Sequence, residues 1–417
     1  MTPEPLPPSR AAALARLEEF APRADAYAAH RNWVSPGNRG VSLLSPYLRC
    51  RLLQEREAVK AALEHHPSGG DKFVQEVLWR TYWKGWMEMR PQVWRAYRNR
   101  LDADRDGLSS AEAERLRSAV QGETDIDCFN QWARELKQTG YLHNHARMWF
   151  ASIWIFTLRL PWTLGASHFL SHLLDGDPAS NTLSWRWVGG LHTPGKHYLA
   201  RASNIAKYTD GRFDPRGRLD ERARALPPDG VESSLHPCAE QPIPEPNRNT
   251  GLLLTGEDLT PELSALRQFR FAALAGGWDQ EIANDLDLSP RVAAFSRGAL
   301  EDGLGRASSH FGTPAQTLSS KNWIADVLAW AQSQRLEQVV TPYAPVGAWA
   351  RRLDLLGIRL ARAGIRLAFH RRGWDRSLWP GASAGYFRFR KQAERRLGEL
   401  LIPQRHPRVK DEYPAPA

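Results

Sequence analysis

Two short stretches carry residue types that can do chemistry together. Thr139-Gly-Tyr-Leu-His-Asn-His-Ala-Arg-Met148 is followed by Leu174-Asp-Gly-Asp-Pro-Ala-Ser-Asn181 and then by Trp185-Arg-Trp187. In the first stretch Asn144, Arg147 and Met148 stand three and four apart, so a helix puts an amide, a guanidinium and a thioether on one face. In the second, Asp175 and Asp177 flank Gly176, whose missing β-carbon lets backbone approach a ligand closely. A buried carboxylate needs a partner, and Arg147 is the candidate for Asp175. The rival reading is a structural helix–loop ion pair.

These strings resemble the FAD-binding domain of photolyases and cryptochromes. Gly-Tyr-Leu-His-Asn-x-x-Arg-Met, Asp-Gly-Asp-x-x-x-Asn and Trp-x-Trp stand here in that family's order and spacing, and the resemblance runs from about Tyr27 to Trp187. It implies FAD as cofactor. Tyr27 resembles the family's first flavin contact. Ser42, Leu44 and Ser45, followed by Pro46-Tyr47-Leu48, resemble the loop around the FAD phosphates, a task suited to a helix N-terminus. Val41 and Leu43 depart from the family's threonine and arginine, so backbone groups must carry more of that contact. Phe73 stands where many members have tryptophan, and Arg80 follows the pattern. Asn144 and Arg147 resemble residues beside the central ring, and Asp175, Asp177 and Asn181 those on its polar edge, with Asn181 toward N5.

The same resemblance implies a DNA lesion site. Glu76 matches the glutamate that contacts damaged bases, Trp79 and Trp187 the aromatic walls, Met148 the methionine beneath, and Arg31 a DNA-facing arginine. A flipped lesion needs stacking surfaces and a few base-edge contacts. Histidines where Asn144 and Met148 stand would mark (6-4) photoproduct repair; their absence favours the cyclobutane pyrimidine dimer. The implied activity is light-driven electron transfer from reduced FAD to the dimer, a deoxyribodipyrimidine photolyase. The alternatives are a cryptochrome-like blue-light receptor that binds FAD without repair, and a helical nucleic-acid-binding protein with a vestigial flavin fold. Flavin photoreduction in the family uses three tryptophans. Trp185 matches the proximal member and Trp162 the middle one; Trp154, Trp149 or a tyrosine remain open for the distal one.

The elements that must position these residues are mostly helices. Ala11 to Phe20, Ser45-Pro46 with serine as N-cap, Phe73 to Met89 with Pro91 interrupting, Cys128 to Gln138, Asn144 to Leu158 and Ser167 to Leu174 are helix candidates. Asp102, Asp104 and Asp106 before Gly107 imitate a calcium loop, but the twelfth position is Ala113 and cannot close it. An acidic loop before a helix starting near Ser109 is the better reading.

Leu226 to Asn249 is proline-rich and polar, a linker or surface meander. Beyond it, Gly251 to Thr255, Glu337 to Thr341 and Ile365 to Phe369 read as strands, with helices over Trp323 to Gln334 and Val346 to Ala363, a parallel α/β pattern. The fold class is therefore a mainly α FAD-binding domain of photolyase type followed by an α/β Rossmann-like domain. We divide the chain into a helical domain (1–220), a linker (221–249) and an α/β domain (250–417). Family members normally carry an α/β antenna domain before the flavin domain, so the last unit reads as a permuted antenna-like domain. Its chromophore is not readable.

Composition narrows the setting. The net charge of +10 over 417 residues favours polyanion partners, here UV-damaged DNA. The 17 tryptophans fit a flavin or base-stacking site. Three widely spaced cysteines suit neither a disulfide framework nor an iron–sulfur site. No membrane span or secretory signal is present, and a cytoplasmic monomer is expected.

Overall fold

A computed structural model describes residues 6–402 apart from positions 39, 194, 232, 319 and 320. The apolar period at Phe73, Val74, Val77, Leu78, Tyr82 and Trp86 forms the inward face of an 18-residue helix, Asp71–Glu88. Pro91 does not merely interrupt it. It occupies the first turn of the next helix, Pro91–Asp106, where its missing N–H is no loss. Asp102, Asp104 and Asp106 thus lie in a helix rather than a loop. Asp104 accepts hydrogen bonds from Thr163 Oγ1 and Arg100 Nε. Among the described residues no carboxylate, histidine or cysteine cluster could hold a metal ion. Ser109 caps Ser110–Gln121 through a reciprocal box with Glu112.

The chemistry-bearing strings fold as three consecutive helices. Asn144–Ser152 follows the left-handed Gly140 and runs into a π-helical turn, Ile153–Thr157. Trp162–His172 then packs against Pro178–Gly189, which Asp177 caps. The expected serine cap at Ser45 is not realised. Leu44 takes the cap position, and Ser45 is the first residue of the five-residue helix Ser45–Arg49.

Between Tyr208 and Thr250 the described residues form no helix or strand. The segment is nonetheless tied down. Leu226 N–H donates to Gly189 O, His236 N–H to Met89 O, and Arg186 pairs with Asp229.

The remainder builds a five-stranded parallel sheet: β1 (Thr250–Leu254), β2 (Ala273–Gly277), β3 (Ala315–Leu318), β4 (Gln338–Pro342) and β5 (Arg366–His370), in the order β3-β2-β1-β4-β5. Strand β1 pairs with both β2 and β4, so the order reverses there. Alternation along β1 divides two cores. Leu252 and Leu254 join the core containing the helix Pro290–Phe311 and the helical half, whereas Leu253 joins Trp323, Val327 and Leu356 on the other face. Strand β2 escapes a propensity reading because it ends in glycines. A β-carbon on Gly276 would lie 2.9 Å from Leu304, and one on Gly277 2.4 Å from Trp323. Strand β3 is a short edge strand.

After β5 the chain returns to the helical half. Trp374 Nε1 donates to Thr81 Oγ1 at 3.0 Å, Tyr82 Oη to Ala384 O at 3.0 Å, and Tyr386 Oη to Gln75 O at 2.8 Å. The helices Gly373–Leu378 and Tyr386–Leu401 therefore pack on Asp71–Glu88, although the sequence assigns them to the α/β unit.

Candidate functional site

The turn Leu173–Asp177 lies between two packed helices. Asp177 Oδ1 accepts the Ser180 N–H at 2.8 Å, and Oδ2 faces Arg80 at 3.5 Å and Lys84 at 3.6 Å. Burial alone would raise this carboxyl, but Lys84, Arg80 and Arg49 outweigh it and hold it well below the usual range. Asp175 Oδ2 accepts from Arg147 Nη2 at 2.9 Å, while Arg147 Nε donates to Leu142 O at 2.7 Å. The other oxygen, Asp175 Oδ1, is buried without a hydrogen-bond partner among the described residues, as are Arg80 Nε and Nη2. Asn144 is the exposed first residue of its helix and Met148 is half-buried one turn on. Asn181 Nδ2 donates to Ala166 O at 2.8 Å.

A second group stands on Asp71–Glu88 and the segment before it. Tyr27 meets Phe73 edge-on at 5.6 Å, and burial pushes its hydroxyl up to about 12. Arg31 Nη1 and Lys72 Nζ both approach Glu76 Oε1, at 2.8 and 3.1 Å. Trp79 is half-buried, with Tyr386 stacked on it at 3.5 Å. In the 42–45 loop, Leu43 adopts φ 55°, a region costly for a branched side chain, and Leu44 is right-handed. Ser42 Oγ accepts the Leu44 N–H at 3.4 Å.

The tryptophans singled out by the sequence fall into separate aromatic groups. Trp185 is buried, edge-on to Trp154 at 6.2 Å and to Phe169 at 5.1 Å. Trp162 lies 5.5 Å from Tyr97, which is 5.3 Å from Trp94. Trp149 stacks instead on Trp132 and His145. Trp187 is 37% exposed and stacks on Tyr198 at 5.8 Å.

Sequence reasoning missed four contributors. Lys84 stands one turn from Arg80 on the same helix, a legible i,i+4 signal. Nothing local singles out Tyr97 among the 10 tyrosines. Arg49 donates Nε to Gly176 O at 2.7 Å and forms two 2.8 Å contacts with Glu257. Neither its partner nor Tyr386 has any local signal. Arg49 also lines a small cleft of about 80 Å³ with Gly176, Glu257, Trp278, Asp279 and Trp349, where the helical half meets the C-terminal ends of β1 and β2.

Residues 73–222 match the family model "FAD binding domain of DNA photolyase". That stretch, about a third of the chain, is similar to the FAD-binding domain of DNA photolyases. A deoxyribodipyrimidine photo-lyase of Streptomyces griseus is 37% identical over 153 residues, 36% of this chain and 32% of that protein. One from Thermus thermophilus is 35% identical over 227 residues, 52% of this chain and 51% of that protein. The chain thus spans a third to about half the length of these curated relatives. A bacterial class III photolyase from Agrobacterium tumefaciens aligns at 25% identity and a TM-score of 0.41, over 48% of this chain and 42% of that one.

The donor set of this photolyase-type domain fits its cofactor. A flavin's polar edge presents both carbonyl oxygens and an N–H. A buried acceptor, Asp175 Oδ1, and a buried donor, Arg80 Nε, stand without a hydrogen-bond partner among the described residues, while Arg80 Nη2 faces only the Asp177 carboxylate at 3.5 Å. Such orphan groups are costly without a ligand.

Proposed function

We propose that this protein is a light-driven DNA repair flavoprotein that splits cyclobutane pyrimidine dimers in UV-damaged DNA. The observation that carries the reading is the Arg147–Asp175 pair, whose free carboxylate oxygen lies in a photolyase-type domain that also brings Glu76 and Trp79 onto one helix. Tyr27, Phe73, Arg80, Asn144, Arg147, Asp175, Asp177 and Asn181 would hold the flavin head. Ser42, Leu44 and Ser45 would lie beside its diphosphate, as the family resemblance implies. Bound and reduced, FAD supplies a light-absorbing one-electron donor.

The chain's own residues do the rest. Arg31 and Lys72 hold Glu76 at 2.8 and 3.1 Å, and its carboxylate would accept a base-edge hydrogen bond. Trp79, Met148 and Trp187 offer apolar surface to flipped bases, and Arg31 offers charge to the backbone. Trp185 and Trp162 would serve as the proximal and middle members of the electron route that the family resemblance implies; Tyr97, beside Trp162, is our candidate for the next member, with Trp154, beside Trp185, as the alternative. The helical, linker and α/β division, with the last read as a permuted antenna-like unit, belongs to the same proposal. So do a cytoplasmic setting and a monomeric state.

A second reading, a cryptochrome-like receptor, draws on the Trp79–Tyr386 stack, which occupies one ring face a lesion would use. The test is light-dependent repair of a thymine dimer in a defined oligonucleotide. Turnover by the reduced, illuminated protein supports repair; bound flavin without turnover selects the receptor.

A further inference from the structure

The helix Tyr386–Leu401 starts against Trp79. The ring stack on Trp79 and the 2.8 Å hydrogen bond from Tyr386 Oη to Gln75 O hold its first turn there. The next residue, Phe387, is 79% exposed, the most exposed of the large apolar side chains. Lys391 and Arg395 follow at four-residue steps and Arg388 lies beside them, all exposed. At 3.6 residues per turn these four positions form one strip about 100° wide. The opposite face, Tyr386, Phe389, Ala393, Leu397 and Leu400, is buried.

The other two cations of this helix are engaged. Arg390 pairs with Glu394 at 2.5 Å, and Arg396 donates to Ser377 O at 2.8 Å. Arg388, Lys391 and Arg395 make no ion pair among the described residues. Three like charges one turn apart repel each other, and the uncovered phenyl ring costs hydration. A partner with regularly spaced anions and flat apolar faces relieves both.

We propose that this strip is a DNA-contact surface. Arg388, Lys391 and Arg395 neutralise phosphates of a strand that passes Trp79, and Phe387 packs on a base beside it. The proposal rests on the reading that lesion-bearing DNA enters at Trp79, but it assigns the binding to residues outside the flavin domain's own motifs.

The experiment compares the flavin-loaded full chain with Arg388→Ala/Lys391→Ala/Arg395→Ala and with Phe387→Ala, on one duplex with and without a thymine dimer, across a salt series. The triple variant should weaken binding to both duplexes and reduce the slope of log K against log salt by about 2 to 3. Phe387→Ala should weaken binding roughly tenfold with little change in slope. Flavin absorbance and melting should match the wild type, because all four side chains are exposed. Unchanged affinity and slope in the triple variant would overturn the surface even if the wild type prefers the dimer. A wild type without dimer preference, combined with a reduced slope in the triple variant, would sink the repair reading and leave the surface standing.

Discussion

The rings of Trp79 and Tyr386 lie 3.5 Å apart and within 6° of parallel, joining residues separated by some three hundred positions in the chain. The stack fixes the tilt of Trp79 and seats the C-terminal helix against Asp71–Glu88. Tyr386→Leu should cost about 0.5–1.5 kcal/mol beyond lost area. Tyr386→Phe keeps the stack and loses only the hydrogen bond to Gln75 O, about 1 kcal/mol. Urea midpoints read both. If Tyr386 buttresses a lesion wall, the leucine variant also weakens dimer binding while phenylalanine restores it. Tighter dimer binding by the leucine variant would make Tyr386 a plug instead.

Asp175→Asn removes the charge that Arg147 Nη2 contacts at 2.9 Å. We expect flavin content per protein to fall at least tenfold, because the orphan acceptor is lost and the guanidinium is left without a counter-charge. The fold should lose about 2 kcal/mol, below the 3–5 typical of fully buried pairs because Arg147 is partly exposed. Arg147→Lys should not restore flavin, since one ammonium cannot serve both Leu142 O and Asp175. Flavin absorbance after gel filtration measures this; full retention would remove Asp175 from the site.

Electron supply to the flavin runs, on the proposed reading, through Trp185. Trp185→Phe should slow photoreduction several-fold and spare repair by chemically reduced protein. Trp162→Phe and Tyr97→Phe should each lower photoreduction if Tyr97 follows Trp162. If Tyr97→Phe has no effect, the buried Trp154 beside Trp185 becomes the alternative. Gly165→Ala tests the packing separately. Its β-carbon would fall 2.2 Å from the Trp185 ring, and such overpacking should cost about 1–3 kcal/mol.

Acid should unfold the helical half early. Burial pushes His143 and His168 down to about 3 and His192 to about 4, from 6.5. The unfolded chain therefore binds more protons than the folded one between those values. Stability is complete above about pH 6.5 and declines as pH falls toward 3, by about 1.4 kcal/mol per histidine for each pH unit. Urea midpoints at pH 7.5 and 5 measure the loss. His143→Asn, which preserves a helix cap, and His168→Gln should flatten the decline; an unchanged acid limb would show that other groups drive it.

Local chemistry was legible in the chain because it depends on near neighbours. The 3.6-residue apolar period of Phe73 to Trp86, the i,i+3 placement of Asn144 and Arg147, the Asp-Gly-Asp turn and three of the five strands follow from spacing and residue type alone. Tertiary structure decided what distant segments do to each other. It set Glu257 on Arg49, stacked Tyr386 on Trp79, and packed β2 under Leu304 and Trp323 at two glycines that look like turn residues. Each of those contacts pairs surfaces across a chain separation over which sequence pattern has no memory. Burial and shape select such partners only once the core has closed.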